Sequence, residues 1–270
     1  MAFMELIIGF ILSVLIGVLA YRAGALNRSG VYAAILTGGL IFGLGGFSWA
    51  LLLLTFFISS SLLSRAFSNK KVNLHDKFSK GSQRDAGQVL ANGGLGAILV
   101  VLYALAPEPG WQWIAFAGAM AAVNADTWAT ELGMLSIKPP RLITNGQIVE
   151  RGISGGVSFV GYSAGLGGAL LVGIVAGGLS GWNETFPLLV LVVTVGGLFG
   201  ATFDSFLGAT AQAIYTCPVC GKETERHPLH TCGTETTQIR GWRWLNNDVV
   251  NFACSVVGAG TALTLWLLFT

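Results

Sequence analysis

The chain has 270 residues, 53% of them hydrophobic and only 10% charged, where soluble domains carry about 25% charged residues. That balance excludes a soluble globular domain, and apolar runs of roughly 20 residues recurring along the chain exclude a β-barrel or a single-anchor protein. A net charge of +2, with Lys and Arg scattered rather than clustered, excludes a nucleic-acid partner.

Apolar runs between charged breaks predict an all-α polytopic membrane protein with eight helices. In chain order these lie near Met4 to Ala20, Val31 to Phe47, Trp49 to Leu63, Gly87 to Leu105, Trp113 to Gly133, Gly155 to Gly178, Pro187 to Gln212 and Val249 to Phe269. The second and third share almost no polar linker around Gly45, Gly46 and Phe47. Met1 to Ala20 has no basic stretch before its apolar run, which predicts a retained first helix rather than a cleaved signal. The 38 glycines, about twice the usual share, suit helices that approach closely or break near a ligand.

Charge orients the helices. Arg22 and Arg28 follow the first, the segment from Arg65 to Arg84 follows the third, Lys138, Arg141 and Arg151 follow the fifth, and Lys222, Arg226, Arg240 and Arg243 follow the seventh. All 15 basic residues fall in these odd-numbered loops, so the positive-inside rule predicts both termini outside and four basic loops in the cytoplasm. The expectation is one transmembrane domain over 1–270 with a cytoplasmic loop over 214–245. A weak internal echo pairs Ser29, Gly30 and Val31 with Gly155, Gly156 and Val157, each expected to open a helix, and Gln88 and Asn92 with Asn247 and Asn251.

An ionisable side chain inside a span costs about 2.5 to 3.5 kcal/mol on insertion scales, so each needs a reason. Asp85 begins the fourth predicted helix, Asp126 and Glu131 lie in the fifth, Asp204 in the seventh, and Asp248 begins the eighth. In the eight-helix topology all five lie towards the cytoplasmic side. Asp85, Gln88 and Asn92 form one helical stripe, and Asn124, Thr127 and Glu131 another, while Asp126 and Thr130 face elsewhere on the fifth helix. A helix polar on two faces must be surrounded by other helices or by a water-filled cavity.

Carboxylates and amides beside basic loops suit a hard divalent cation such as magnesium, completed by a phosphate ligand. Lys77, Lys80, Arg84 and Arg151 are candidates to clamp that phosphate, unless they serve only as topology signals or lipid head-group contacts. Glu150 to Gly156, read as a helix opening, would add backbone amides. Cys217, Cys220, His230 and Cys232, in a loop placed in the cytoplasm, have the spacing of a closed, structural zinc site, with His227 as the alternative ligand.

At these residues the chain resembles the membrane proteins grouped as transmembrane protein 19 and the plant phytyl-phosphate kinases of vitamin E salvage. The likeness spans nearly the whole chain. It runs through Lys80 to Asp85 with Gln88 to Gly94, the stretch Asn124 to Gly133, Gly200 to Gln212 with Asp204 and Ser205, and Asn246 to Asn251. The Cys217 to Cys232 loop resembles the prokaryotic branch. One departure falls in Ile153 to Ser158, where Ile153 and Ser154 stand in place of the family's Thr-Asn.

The resemblance implies a helical fold distantly similar to dolichol kinase and phosphatidate cytidylyltransferase. It also implies phosphoryl transfer from a nucleoside triphosphate, CTP by family likeness, to an isoprenyl monophosphate. The expected site holds magnesium on Asp126, Glu131 and Asp204, with Asp248 as a further acidic candidate. Phosphates would be bound by Lys80, Arg84 and Arg151 and by the Gly155 and Gly156 amides. Asp85, Gln88, Asn92, Asn124, Thr127, Ser205, Asn247 and Asn251 complete the substrate-binding set. The expected location is a prokaryotic cell membrane with the site at the cytoplasmic face. Two other readings use the same residues: a secondary transporter or lipid scramblase, and a CTP-dependent cytidylyltransferase acting on a lipid phosphate.

Overall fold

A computed structural model of the protein describes residues 2–67, 83–107 and 110–270. Lys77 and Lys80 lie outside the described residues. Seven helical elements carry the fold: α1 (Ala2–Arg22), α2 (Arg28–Ala66), α3 (Ala86–Leu105), α4 (Trp111–Gly133), α5 (Phe159–Ser180), α6 (Phe186–Thr210) and α7 (Asn247–Phe269). All but α4 are long and apolar enough to cross a membrane.

The 39 residues of α2 would reach about 58 Å as one rod, nearly twice the hydrocarbon thickness. They do not form one rod. Gly46 adopts φ 74° and ψ −162°, a conformation costly for any side chain but open to glycine, and the element folds into two arms, 28–45 and 47–66. Both arms return to one residue. Gly30 packs against the Arg84 carbonyl, and Arg84 Nη1 donates to Ser61 Oγ at 3.3 Å. The two arms are therefore antiparallel, joined at the glycines predicted to break the apolar run.

Segments alternate in direction, so Arg84, the 136–158 segment, the 211–246 segment and the ends of α1, α4 and α6 share one end of the bundle. The described Lys and Arg residues all lie there. Helices starting at this end carry side-chain caps. Asn27 accepts from Gly30 N, Ser158 from Gly161 N and Asn246 from Val249 N, while Asp85 and Gln88 form a capping box. The helices starting at the far end, α4 and α6, have no side-chain cap bond. Aromatic rings mark both ends, with Trp242 stacked on Trp244 at the basic end and Trp182 on Phe186 at the other.

Helix α4 is the axis of the bundle, in contact with α2, α3, α5, α6 and α7. Its N-terminal half is enclosed by other helices, with Phe116, Ala117, Ala119, Met120, Ala121 and Ala122 all fully buried, and its polar C-terminal half keeps Asn124 and Glu131 buried as well. Small residues allow this crowding. A Cβ at Gly200 would lie 2.6 Å from Ala122 Cβ, and one at Gly258 would collide with the same methyl. Trp49 anchors the far end of the core, with ring centroids 4.6 Å from Phe116 and 5.2 Å from Tyr103.

Two small sheets sit at the basic end. Strand β1 (Arg141–Leu142) pairs antiparallel with β2 (Gly156–Val157), and β3 (Ile214–Thr216) lies between β4 (Glu223–Thr224) and β5 (Thr237–Arg240). The first sheet corrects the expectation that Gly155 to Val157 open a helix. Gly155 has φ +83° and touches Ala209, with a Cβ there only 2.5 Å from the Ala209 backbone. Gly156 and Val157 are strand, and the helix begins at Phe159 behind the Ser158 cap. Gly155 serves a tight crossing over α6 while Gly156 packs on its own loop, and the amides of an N-terminal helix turn are not what they present.

Candidate functional site

Where the helix ends meet, a cavity of about 360 Å³ opens between α3, α4, α6, α7 and the loops above them. Gln88 and Asn92 from α3, Asp126, Thr127 and Glu131 from α4, Asp204 and Ser205 from α6, and Asn247 and Asn251 from α7 all line it. The two pairs of the internal echo thus face the same space. Arg84, Arg151, Gly155 and Gly156 complete the wall. Asp126 stands seven residues before the end of α4 and Asp204 six before the end of α6, so both lie about 10 Å in from the helix ends, short of a bilayer midplane.

The charges are arranged in two groups. Asp126 and Asp204 are within electrostatic range of each other and of Glu225. Asp204 Oδ2 is buried with no hydrogen-bond partner among the described residues. In the second group, Glu131 Oε1 accepts from Ser64 Oγ at 2.6 Å, and the Glu131 carboxylate is the electrostatic partner of Arg84. The Arg84 guanidinium is held between the Phe56 and Phe57 rings, at 5.4 and 5.5 Å from their centroids. Arg151 donates to the Ser136 and Ile137 carbonyls at 2.7 and 3.2 Å, which fixes its direction at the cavity rim.

Three residues singled out from the sequence stand elsewhere. Asp85 is the N-cap of α3, accepting from Gln88 N at 2.9 Å while Gln88 Oε1 accepts from Asp85 N at 3.1 Å. Asn124 is wholly buried; its Oδ1 accepts from Ser59 and Ser60 hydroxyls at 2.9 and 3.2 Å, and its Nδ2 donates to the Gly168 carbonyl at 2.9 Å. It ties α4 to α2 and α5. Asp248, in the first turn of α7, is not on the cavity wall.

One acidic residue was not foreseen. Glu225 follows β4 in the cysteine loop, yet it lines the cavity. Gln212 Nε2 donates to Glu225 Oε1 at 3.0 Å, and Ser154 Oγ donates to Gln212 Oε1 at 2.7 Å. A loop glutamate flanked by Thr224 and Arg226 reads as a solvated charge; only the path of the folded loop brings it back.

The same loop gathers Cys217, Cys220, His230 and Cys232, whose ligand atoms all lie within 4.8 Å of one another, a group able to hold a metal ion. His230 Nδ1 is 3.2 Å from Cys232 Sγ. His227 is excluded from the set, because its ring stacks on Tyr215 at 4.6 Å and 10°. Hydrogen bonding with Thr234 and with His230 draws the Cys232 thiol down to about 5, while hydrogen bonding with Cys232 pushes the Cys220 thiol up to about 11, so the proton the cluster shares sits on Cys220. The sheet around the cluster is docked on α6 by Arg240, which donates to the Ala209 and Gly208 carbonyls at 2.8 and 3.0 Å. That caps the helix C-terminus with a cation.

Fold and site together define a polytopic helical membrane protein with a charged cavity at one end. Residues 11–259 match the model of the family described as Integral membrane protein DUF92, and the chain belongs to that family. It is 33% identical to Protein PGR of Arabidopsis thaliana, over 92% of this chain and 91% of that one. It is 34% identical to the uncharacterized membrane protein MJ0933 of Methanocaldococcus jannaschii, over 76% of this chain and 84% of that one. The uncharacterized membrane protein sll0875 of Synechocystis is 24% identical over 84% of this chain and 77% of its own. No solved structure matches the chain significantly. The family resemblance read from the motifs is upheld.

Proposed function

We propose that the protein is a magnesium-dependent isoprenyl-phosphate kinase acting at the cytoplasmic face of its membrane. One observation carries this reading: a single cavity, at the end of the bundle where the basic residues collect, is lined by Asp126 and Asp204 together with Arg84 and Arg151.

Asp126 and Asp204 are the residues that would hold magnesium, and Asp204 Oδ2, buried and without a hydrogen-bond partner among the described residues, is the kind of oxygen such an ion satisfies. Glu131, engaged by Ser64 and Arg84, would steady the phosphate-binding arginine instead. Bound there, the ion would neutralise charge on the transferring phosphate. The chain's own part is positioning. Arg84 and Arg151 bind phosphate oxygens, Gln88, Asn92, Asn247 and Asn251 orient them, and the buried helix α4 keeps the geometry rigid. An oxygen of the prenyl monophosphate attacks the γ-phosphorus of the nucleotide, and the bond from that phosphorus to the β–γ bridging oxygen breaks. Prenyl diphosphate and nucleoside diphosphate result. The acceptor phosphate is already ionised at neutral pH, so no general base is needed. CTP is the donor favoured by family likeness. For the Cys217, Cys220, His230 and Cys232 cluster we propose zinc in a closed structural site, the preference of a Cys/His set of four.

The reading is tested on detergent-purified protein with magnesium, a panel of isoprenyl monophosphates and each nucleoside triphosphate, with both products identified by mass. Prenyl diphosphate with nucleoside diphosphate supports it. Pyrophosphate with a nucleotide-linked lipid points to cytidylyl transfer instead, and no turnover with any pair points to transport.

A further inference from the structure

Glu225 belongs to the polar loop, and Asp126 and Asp204 belong to the membrane helices, yet all three line one cavity. Loop geometry explains how. The Cys217 and Cys220 pair forms the tip between β3 and β4, where Tyr215 pairs with Thr224 and Thr216 with Glu223. The chain leaves β4 at Glu225 and meets the cluster again at His230 and Cys232. Both ends of the short segment carrying Glu225 are therefore tied to one point. From the membrane side, Gln212 at the end of α6 holds the Glu225 carboxylate at 3.0 Å. Thr236 Oγ1 donates to the Arg226 carbonyl at 3.0 Å, which fastens the next residue to the strand side of the loop.

We infer that Glu225 is a third carboxylate of the divalent-cation site in the membrane cavity, and that metal occupancy of the Cys217, Cys220, His230 and Cys232 cluster is what positions it there. The inference rests on the magnesium reading above. A metal held outside the bilayer then governs the affinity of a second metal inside it. Losing the first releases the segment between β4 and His230 and withdraws one acidic ligand, while Asp126 and Asp204 stay on their helices. Asp204 Oδ2, buried and without a hydrogen-bond partner among the described residues, is the independent sign that the acidic wall is built to receive a cation.

The experiment uses the full chain in detergent, its zinc content measured by elemental mass spectrometry, titrated with Mn2+ while free Mn2+ is followed by electron paramagnetic resonance. Glu225→Gln is expected to bind Mn2+ roughly tenfold or more weakly than wild type, with zinc and far-UV circular dichroism unchanged. Removing zinc with a chelator, then desalting, is expected to weaken Mn2+ binding in the wild type to the same degree and to add nothing in Glu225→Gln. Glu223→Gln, on the exposed side of β4, should bind as wild type does. Wild-type Mn2+ affinity in Glu225→Gln, with binding lost in Asp204→Asn, overturns the inference and leaves the magnesium reading standing. Equal weakening on zinc removal in wild type and Glu225→Gln overturns the coupling. If neither Asp126→Asn nor Asp204→Asn weakens Mn2+, the magnesium reading fails and the inference fails with it.

Discussion

Gln212 holds Glu225 across the boundary between a membrane helix and a polar loop, its Nε2 donating to the carboxylate at 3.0 Å while its Oε1 accepts from Ser154 at 2.7 Å. The side chain is 1% exposed, so both bonds are made without water. Gln212→Leu should cost about 1–3 kcal/mol, the penalty of leaving buried polar partners unmet. It appears as a lower thermal midpoint in detergent together with weakened Mn2+ binding. Lowered stability with unchanged Mn2+ affinity would limit Gln212 to packing.

The hairpin turn at Gly46 gives a cleaner test of backbone strain. A Cβ there meets nothing within 4 Å, so only the φ of 74° opposes a side chain. Gly46→Ala should destabilise by about 1–2 kcal/mol. Gly260→Ala, in regular helix and also facing open space, should be neutral or stabilising by up to about 1 kcal/mol. Melting curves of the two variants side by side check the contrast.

Helices α4, α6 and α7 cross where Gly258 meets Ala122 and the Gly118 carbonyl. Gly258→Val is expected to prevent this approach and to remove the monodisperse peak in size-exclusion chromatography. Gly94→Ala, whose Cβ finds only Phe252 at 4.0 Å, should leave that peak intact.

Arg84 and Glu131 offset each other in the cavity wall. Glu131 is buried and accepts from Ser64, and leaving a buried polar partner unmet costs about 1–3 kcal/mol, so Glu131→Ala and Arg84→Ala should each lower the thermal midpoint. The double substitution should cost less than the two single effects added. A double-mutant cycle on melting midpoints checks this, and strict additivity would show that the pair is uncoupled.

Most of the fold was legible because a bilayer imposes its length on each helix and because Gly45 and Gly46 interrupt the longest apolar run. The alternation of basic loops was legible for the same reason, since an error of one helix would have scattered it. The site was legible only in part. The stripes on α4 marked an interior polar face, but spacing cannot separate Asn124, satisfied by Ser59, Ser60 and Gly168, from Asp126 on the cavity wall. Asp85 carried a capping signature with Gln88, which competes with a binding role. Gly155 and Gly156 suggested a helix opening, and strand pairing with Arg141 and Leu142 decided otherwise. Glu225 left no local signal, because only the folded path of the loop, with Gln212 donating to its carboxylate, brings it to the cavity.

The central claim is that the Asp126 and Asp204 wall serves phosphoryl transfer. The most direct measurement incubates the protein with magnesium, a prenyl monophosphate and CTP labelled with 32P at the γ position, and follows the label into lipid for wild type and for folded Asp204→Asn. Label in the prenyl diphosphate with wild type, and none with Asp204→Asn or without magnesium, is the predicted result. Label released as pyrophosphate, or transfer to lipid undiminished in Asp204→Asn, would contradict it.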